Sequence, residues 1–269
     1  MSEVQSALSA FRMAYGEHRA AEGRALDRDA LLQLPYAATG PFARQWSVRA
    51  RTFDAFVRSI LTPLARRKGQ PLRVLDVGAG NGWLSWHVSR AGHDCVALDV
   101  RDDDVDGLGA ARPFLAAGAG AFERIAASFD ALPLNDTSVD VVLFNASIHY
   151  AVDLTHVLRE ARRVARADGR IVILDSPFYD RAADGDAMVA EKCATAAVQF
   201  GSRSAALLSL GCIEYLTRDV LANASRAVSL EWTRHRVRYP LWYEARPLLA
   251  ALRGRRTPSR FDMWEGRLA

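Results

Sequence analysis

The sequence predicts an α/β protein whose core is a parallel, doubly wound sheet covered by helices on both faces, with a helical extension before it. Three observations support this prediction. Short apolar segments alternate with helical ones between residues 71 and 176, a run of glycines joins the first such segment to the next helix, and no strand-like pattern precedes residue 71. Such alternation is typical of parallel sheets buried on both faces, and right-handed crossovers then give the doubly wound order.

The first 70 residues show helical periodicity rather than strand alternation. Apolar residues recur at helical spacing in two stripes, the first at Val4, Leu8, Phe11 and Tyr15 and the second at Trp46, Phe53, Val57, Ile60 and Leu64. Isolated amphipathic helices are not stable in water, so we expect these helices to pack on the rest of the chain.

The core is predicted to contain five strands, which are PLRVLDV, HDCVALDV, FERIAA, VDVVLFNAS and RIVILDS. The helices between them are GWLSWHVSRAG, a segment near residues 105–118 and the amphipathic LTHVLREARRVARADG, which we expect to end at Gly169. After Pro177, residues 184–200 and 217–224 look helical, and AVSLEWTRHRVR and RFDMWEG alternate like strands.

Composition narrows the class of protein. The 269 residues are 50% hydrophobic and 25% charged, which is typical of a folded globular chain. The three cysteines are scattered without a CxxC pair, which argues against a disulfide framework and a structural zinc site and favours a reducing compartment. No signal-peptide pattern and no apolar run long enough to span a membrane are present. We therefore expect a cytoplasmic protein with no membrane partner.

The formal net charge of +4 comes almost entirely from arginine, because Lys68 and Lys192 are the only lysines. Many arginines lie beside acidic residues, which is typical of a solvated surface. The cluster ALRGRRTPSR at residues 251–260 has no aromatic residues for stacking on bases. Nucleic acid is therefore a less favoured partner than a small molecule.

The glycines after the first strand indicate a nucleotide-like ligand. In RVLDVGAGNGWLSWHV, residues 73–88, a strand runs into three glycines before a helix begins. The dinucleotide fingerprint G-x-G-x-x-G needs a glycine where this chain has Trp83, whose indole would obstruct close helix packing. S-adenosylmethionine (SAM) needs close backbone approach and a nearby carboxylate for its ammonium group. The glycines and Asp76 supply both.

A carboxylate at the end of the second strand supports an adenosine ligand. Asp99 lies about twenty residues beyond the glycines, where it can accept both ribose hydroxyls, and Val100 can pack on the adenine face. Dinucleotide and SAM enzymes share such an acid, so it does not choose between them. An NAD-dependent oxidoreductase is disfavoured because no Tyr-x-x-x-Lys pair is present.

Residues 73–176 resemble the class I SAM-dependent methyltransferases. The resemblance rests on the order and spacing of four segments, which are LDVGAGNG, ALDV, FDALPLNDTSVDVVLFNASIHY and EARRVARADGRIVILDS. The resemblance implies SAM as cofactor and a Rossmann-like, mostly parallel seven-stranded sheet with a final antiparallel hairpin. It implies a SAM-binding domain at 71–269, with its core at 71–176 and a C-terminal lid and hairpin at 177–269. Residues 1–70 would form a further lid over the acceptor.

The resemblance also implies site residues by position. The expected cofactor-binding residues are Asp76, Gly78, Ala79, Gly80, Asp99, Val100, Ser128, Phe129 and Asn145. Ser128 stands where the family usually has an acid that accepts from the adenine amino group, so the Ser128 hydroxyl or the Phe129 backbone would have to replace it. Asn145 ends the fourth strand, where the family borders the sulfonium.

His149 and Tyr150 follow the fourth strand and are the candidate catalytic residues. A histidine pKa can lie near neutrality, which suits a general base, although His149 could instead brace the next helix. Tyr150 occupies a place where many relatives have histidine. Three residues after the fifth strand are further candidates to contact an acceptor, namely Asp175, Ser176 and Tyr179. No metal site is predicted.

We therefore predict a methyltransferase that uses SAM to methylate a small molecule by in-line displacement. Arg44, Arg49, Tyr36 and Trp46 in the extension suit an aromatic or anionic acceptor. Two alternatives stay open. One is an RNA nucleobase methyltransferase, and the other is a SAM-binding enzyme or regulator that does not transfer methyl. The oligomeric state is not predicted.

Overall fold

In the computed structural model, one sheet of seven strands forms the centre of the molecule, with the strand order β3-β2-β1-β4-β5-β7-β6. The structure describes residues 26–118, 120–200 and 211–268, and of residues 199 and 200 only the backbone. The strands are β1 Arg73–Val77, β2 Asp94–Asp99, β3 Glu123–Ala126, β4 Val139–Asn145, β5 Ala165–Leu174, β6 Leu230–His235 and β7 Met263–Leu268. Strands β1 to β5 pair in parallel, and β7 runs antiparallel to β5 and β6. The predicted fold class is confirmed.

The helices are α1 Arg28–Leu32, α2 Ala43–Phe56, α3 Thr62–Lys68, α4 Trp83–Arg90, α5 Arg112–Ala116, α6 Leu154–Val164, α7 Ala182–Phe200, α8 Arg218–Arg226, α9 Leu241–Glu244 and α10 Arg246–Leu252. A π-helical turn, Val57–Leu61, joins α2 to α3, and 3₁₀ turns occur at Leu108–Ala111 and Ile148–Tyr150. The first predicted apolar stripe, at Val4, Leu8, Phe11 and Tyr15, lies outside the described residues. The short helices α9 and α10 were not predicted.

The predicted helix ending at Gly169 was too long. Helix α6 ends at Val164, and β5 begins at the next residue by pairing Ala165 with Val139. The register then shifts by a bulge, and a Cβ on Gly169 would lie 3.0 Å from the Asp140 carbonyl oxygen. The glycine therefore permits close backbone approach inside a strand rather than ending a helix.

Alternating residues of the strands supply two apolar layers. Val74 and Val172 face the layer that contains α2 and α4, whereas Leu75 and Ile173 face the layer that contains α6 and α8. The extension completes the first layer, because Trp46 and Phe53 of α2 pack edge-on against Trp83 with ring centroids 5.8 and 5.5 Å apart. The indole in the position of the missing third glycine thus anchors the extension to the core.

A buried carboxylate ties the amino end of the sheet together. The side chain of Asp140 is 1% exposed and accepts hydrogen bonds from Lys68 Nζ at 2.7 Å, Arg166 Nη1 at 2.7 Å and the backbone N–H of Arg73 at 2.8 Å. Burial alone would raise the pKa of Asp140, but the hydrogen bonds from Arg73, Lys68 and Arg166 hold it below its ordinary value.

Asp140→Asn should lower the free energy of unfolding by about 3 kcal/mol near neutral pH, because it removes one partner of a buried ionic cluster. Since the folded-state pKa is below the ordinary value of 3.8, the carboxylate stabilises the fold above that pH and loses its contribution as the pH falls through the folded pKa. Urea unfolding should therefore show the difference shrinking in acid. Asp94→Asn, which alters the exposed Arg73–Asp94 pair, is the control and should cost less than about 1 kcal/mol. Equal losses for both variants would contradict the account.

Candidate functional site

A cavity of about 480 Å³ lies at the carboxyl edge of the sheet. Its walls come from the ends of the parallel strands and from the extension, which contributes Phe42, Gln45, Trp46 and Arg49. Apart from Asp76 and Ser128, the predicted site residues all line it, namely Gly78, Ala79, Gly80, Asp99, Val100, Phe129, Asn145, His149 and Tyr150. The strand ends of an open α/β sheet are where such folds bind ligands.

The turn after β1 is fixed by its neighbours on both sides. The N–H groups of Gly78 and Ala79 donate to the Leu98 carbonyl of β2 at 2.7 and 3.0 Å. Gly78 has φ +74°, and a Cβ there would lie 2.4 Å from the Ser147 Cβ. Only glycine fits this position, so backbone rather than a side chain faces the cavity.

Asp99 at the end of β2 is held in one orientation. Its Oδ2 accepts from the Gly80 N–H and its Oδ1 from the Arg101 N–H, each at 2.8 Å. Burial raises the pKa of Asp99, and these two backbone hydrogen bonds oppose the rise. A carboxylate has about four acceptor sites, so one on each oxygen is left for a donor such as a sugar hydroxyl.

Asp76 does not line the cavity. It is 1% exposed, and its Oδ2 accepts from Ser85 Oγ of α4 at 2.7 Å. Burial raises the pKa of Asp76 to about 7. Its Oδ1 is buried without a hydrogen-bond partner among the described residues, and the expected role of Asp76 toward the SAM ammonium group stays a prediction.

Ser128 also lies outside the cavity lining, and an acid two residues later takes its place. The Ser128 hydroxyl donates to Asp130 Oδ2 at 3.0 Å and accepts from the Asp130 N–H at 3.3 Å. This local turn places Phe129 and Asp130 in the cavity wall. The sequence analysis chose Ser128 by counting back from Pro133 and so missed Asp130. The Ser-x-Asp spacing, which is typical of a side-chain turn, could have identified Asp130.

Two polar side chains at the cavity have buried oxygen atoms with no hydrogen-bond partner among the described residues. They are Asn145 Oδ1 at the end of β4 and Asp175 Oδ1 just after β5. Asp175 has φ +50°, a conformation that is uncommon without glycine. Burial raises the pKa of Asp175, and the charge of Arg49 opposes the rise. Buried polar atoms without partners are rare in folded proteins, so both atoms are suited to a ligand.

The structure corrects the pKa expected for His149. Burial, together with the positive charges of Lys192 and Arg49, lowers the pKa of His149 to about 3. The imidazole is therefore neutral at physiological pH. Its Nδ1 lies 3.4 Å from Ser176 Oγ, and its ring packs 4.3 Å from that of Tyr150. A neutral ring with such a low pKa is a hydrogen-bonding group and a weak proton acceptor.

The arginine cluster at residues 251–260 does not form a continuous cationic face. Arg256 pairs with Glu191, and Arg260 pairs with Glu244 and Asp262. Only Arg253 and Arg255 of the cluster are exposed. This pairing weakens the RNA alternative.

In the described ranges no helix is long and apolar enough to cross a membrane. The same residues contain no group of three or more histidine, cysteine, aspartate or glutamate side chains placed to hold a metal ion.

Part of the chain is similar in sequence to known methyltransferases. Residues 75–173 match the methyltransferase domain family. The chain is 40% identical over 111 residues to the uncharacterized methyltransferase Rv3342 of Mycobacterium tuberculosis, across 41% of this chain and 40% of that protein. It is 32% identical over 156 residues to a malonyl-[acyl-carrier protein] O-methyltransferase of Methylococcus capsulatus, across 51% of this chain and 55% of that protein. The chain thus spans about half of the length of these relatives.

Solved structures share the fold at low sequence identity. Geranyl diphosphate C-methyltransferase of Streptomyces coelicolor superposes with a TM-score of 0.55 and 15% identity, covering 90% of this chain and 88% of that one. YcgJ of Bacillus subtilis superposes with a TM-score of 0.52 and 16% identity, covering 78% and 98%. Residues 75–173 thus match the methyltransferase domain family, and the fold built around them is shared with these solved structures.

Proposed function

We propose that this protein is a SAM-dependent methyltransferase that acts on a small-molecule acceptor. The observation that carries the proposal is the grouping around one cavity of the glycine turn, the oriented Asp99 carboxylate and the unpartnered Asn145 Oδ1. A turn without a Cβ, a paired carboxylate and a buried acceptor atom fit the amino-acid, ribose and sulfonium regions of SAM. When bound, SAM would supply an electrophilic methyl group, whose carbon would bond to an acceptor lone pair as the carbon–sulfur bond breaks and S-adenosylhomocysteine leaves.

On the cofactor side, the chain's contribution is to bind and orient. Asp99 accepts from the ribose hydroxyls, and Asp130 takes the role first assigned to Ser128, accepting from the adenine amino group. The backbone at Gly78, Ala79 and Gly80 borders the amino-acid portion. Val100 and Phe129 supply apolar surface on either side of the base.

On the acceptor side, we assign proton acceptance to Asp175. Its carboxylate lines the cavity with one oxygen unpartnered, and burial makes it a stronger base than an exposed aspartate. An acceptor hydroxyl or amine would pass its proton to Asp175 Oδ1 as its lone pair attacks. His149 and Tyr150, proposed from the sequence as catalytic residues, orient the acceptor here as neutral partners. The positive charge of Arg49 favours the ionised form of Asp175, against the larger effect of burial.

The walls of the cavity favour a small acceptor. Phe42 and Trp46 reach over it from the extension, and Phe261 closes it from the C-terminal segment. Aromatic side chains in the walls of a concave site are typical of small-molecule sites.

Methyl transfer is tested by incubating the protein with SAM and fractionated metabolite extracts, followed by mass spectrometry. We expect an acceptor that gains the mass of one CH2 group in step with release of S-adenosylhomocysteine (SAH). SAH binding with no methylated product in any fraction would instead favour the non-transferring alternative.

Asp99→Ala should weaken SAH binding by about 1–3 kcal/mol, because the ribose hydroxyls lose a charged acceptor. The Asp99 carboxylate also accepts from the Gly80 N–H, so the variant could weaken binding by disturbing the glycine turn. The 2′-deoxy analogue of SAH separates this disturbance from the loss of the ribose contact. Calorimetry should show that removing the 2′-hydroxyl weakens binding to the wild type but not to the variant. Asp94→Asn, at the other end of β2, is the control and should bind both ligands as the wild type does. If removing the 2′-hydroxyl from SAH weakens binding equally to the wild type and to the variant, the ribose lies elsewhere.

Lys192→Met should raise the pKa of His149, by roughly tenfold in proton affinity, because it removes one of the two positive charges that oppose protonation. Lys192→Arg keeps the charge and should leave the pKa near its low wild-type value. The measurement is a pH titration of the imidazole nitrogen signals by NMR. A His149 ring that titrates near its ordinary value of 6.5 in the wild type would refute the neutral-ring assignment.

A further inference from the structure

A second chamber, of about 350 Å³, adjoins the cavity. The two share one wall, which consists of His149, Tyr150 and Pro177. The other walls of this side chamber come from α7, from residue Glu214, from α10 and from residues 256–259. These segments lie outside the family match at residues 75–173.

The side chamber is lined by more positive than negative charge. Lys192, Arg246 and Arg256 line it, with Glu214 as the one carboxylate in its described wall. Lys192 Nζ lies 2.7 Å from Glu214 Oε2, and Arg256 lies 2.8 Å from Glu191 behind the wall. These pairs neutralise two of the three cations, and the charge of Arg246 is left over.

Arg246 is a guanidinium held in place without an acidic partner among the described residues. Its Nη2 donates to the Ser259 carbonyl at 2.8 Å and its Nε to the Tyr243 carbonyl at 3.3 Å. The guanidinium carbon lies 3.6 Å from the Tyr243 ring centroid. These hydrogen bonds use the Nε–Nη2 edge of the guanidinium, so its Nη1 donors are available to a ligand. A half-buried, pre-oriented guanidinium is the group that proteins use to bind planar or tetrahedral oxyanions.

We propose that the side chamber binds a phosphate group carried by the methyl acceptor, with Arg246 as its principal ligand. The assignment of the phosphate to the acceptor rests on the proposed function. Phosphate binding in the side chamber does not depend on that function. Lys192 and Arg256 add positive charge, and the buried Tyr179 hydroxyl, which accepts from Arg256 Nη1 at 3.1 Å, lies in the same wall. An acceptor of this class extends from Asp175 and Asn145 across the His149–Tyr150 wall, with its phosphate beside Arg246.

Phosphate is a better match than a carboxylate because it carries nearly two negative charges at neutral pH and presents three acceptor oxygens. It would also counter the charge of Lys192, which acts on His149 through the shared wall. Occupancy of the side chamber therefore has a local signature, a change in the imidazole signals of His149.

The test titrates inorganic phosphate into the full chain at constant ionic strength, with and without saturating SAH, using calorimetry and NMR of the His149 ring. The wild type should bind phosphate saturably and shift the ring signals. Arg246→Met should weaken binding by at least about tenfold. Arg253→Met, which removes an exposed arginine just after α10, is the matched control and should behave as the wild type. If Arg246→Met does not fold, Arg246→Gln, which keeps a donor for the Ser259 carbonyl, replaces it.

The proposal is overturned if phosphate fails to bind saturably, if Arg246→Met binds it as well as Arg253→Met does, or if binding leaves the His149 signals unmoved. The titration with SAH distinguishes failure of the phosphate proposal from failure of the proposed function. SAH binding without phosphate binding would leave the methyltransferase assignment standing and remove the phosphate subsite. Phosphate binding with the His149 shift but without SAH binding would keep the subsite and refute the assignment of the donor cavity.

Discussion

The tie between the turn after β1 and the end of β2 is the constraint on which the site depends. Two consecutive N–H groups of the turn bind one carbonyl of β2, and the next strand residue, Asp99, accepts from Gly80. On the other side, Gly78 is pressed against Ser147 after β4. Three strand ends are therefore fixed relative to one another through backbone atoms. This leaves the side chains of Asp99 and Asn145 directed at one space.

Trp83, which stands where the dinucleotide fingerprint has a glycine, connects the core to the extension. Its ring contacts Trp46 and Phe53, so the start of α4 is the surface on which the extension packs. That packing carries Phe42, Gln45 and Arg49 to the mouth of the cavity. The indole at the start of α4 thus fixes the part of the extension that lines the cavity.

The five parallel strands and the cavity-lining residues at their ends could be predicted because they follow from local periodicity and from the place of each residue at a strand end. Asp76 could not be placed that way. Its position in β1 predicts a buried face, but only the packed helix shows that Ser85 is its partner. Asp130 replaced Ser128 because a side-chain turn, rather than a count from Pro133, sets which residue faces the cavity. The low pKa of His149 depends first on burial and then on the charges of Lys192 and Arg49, which are distant in sequence and come near the ring only in the fold.

The electrostatics of the shared wall explain why a histidine there is neutral. Lys192 acts on His149 from the side chamber and Arg49 acts on it from the cavity, so a proton on the ring would face positive charge in both directions. A cationic ligand in the cavity would add to that repulsion, whereas a neutral imidazole can still exchange hydrogen bonds with Ser176 or with a ligand. Burial acts in the opposite direction on Asp175, because it raises the pKa of an acid. The same burial thus weakens His149 as a base and strengthens Asp175, which is why the proposed mechanism gives orientation to the end of β4 and proton transfer to the end of β5.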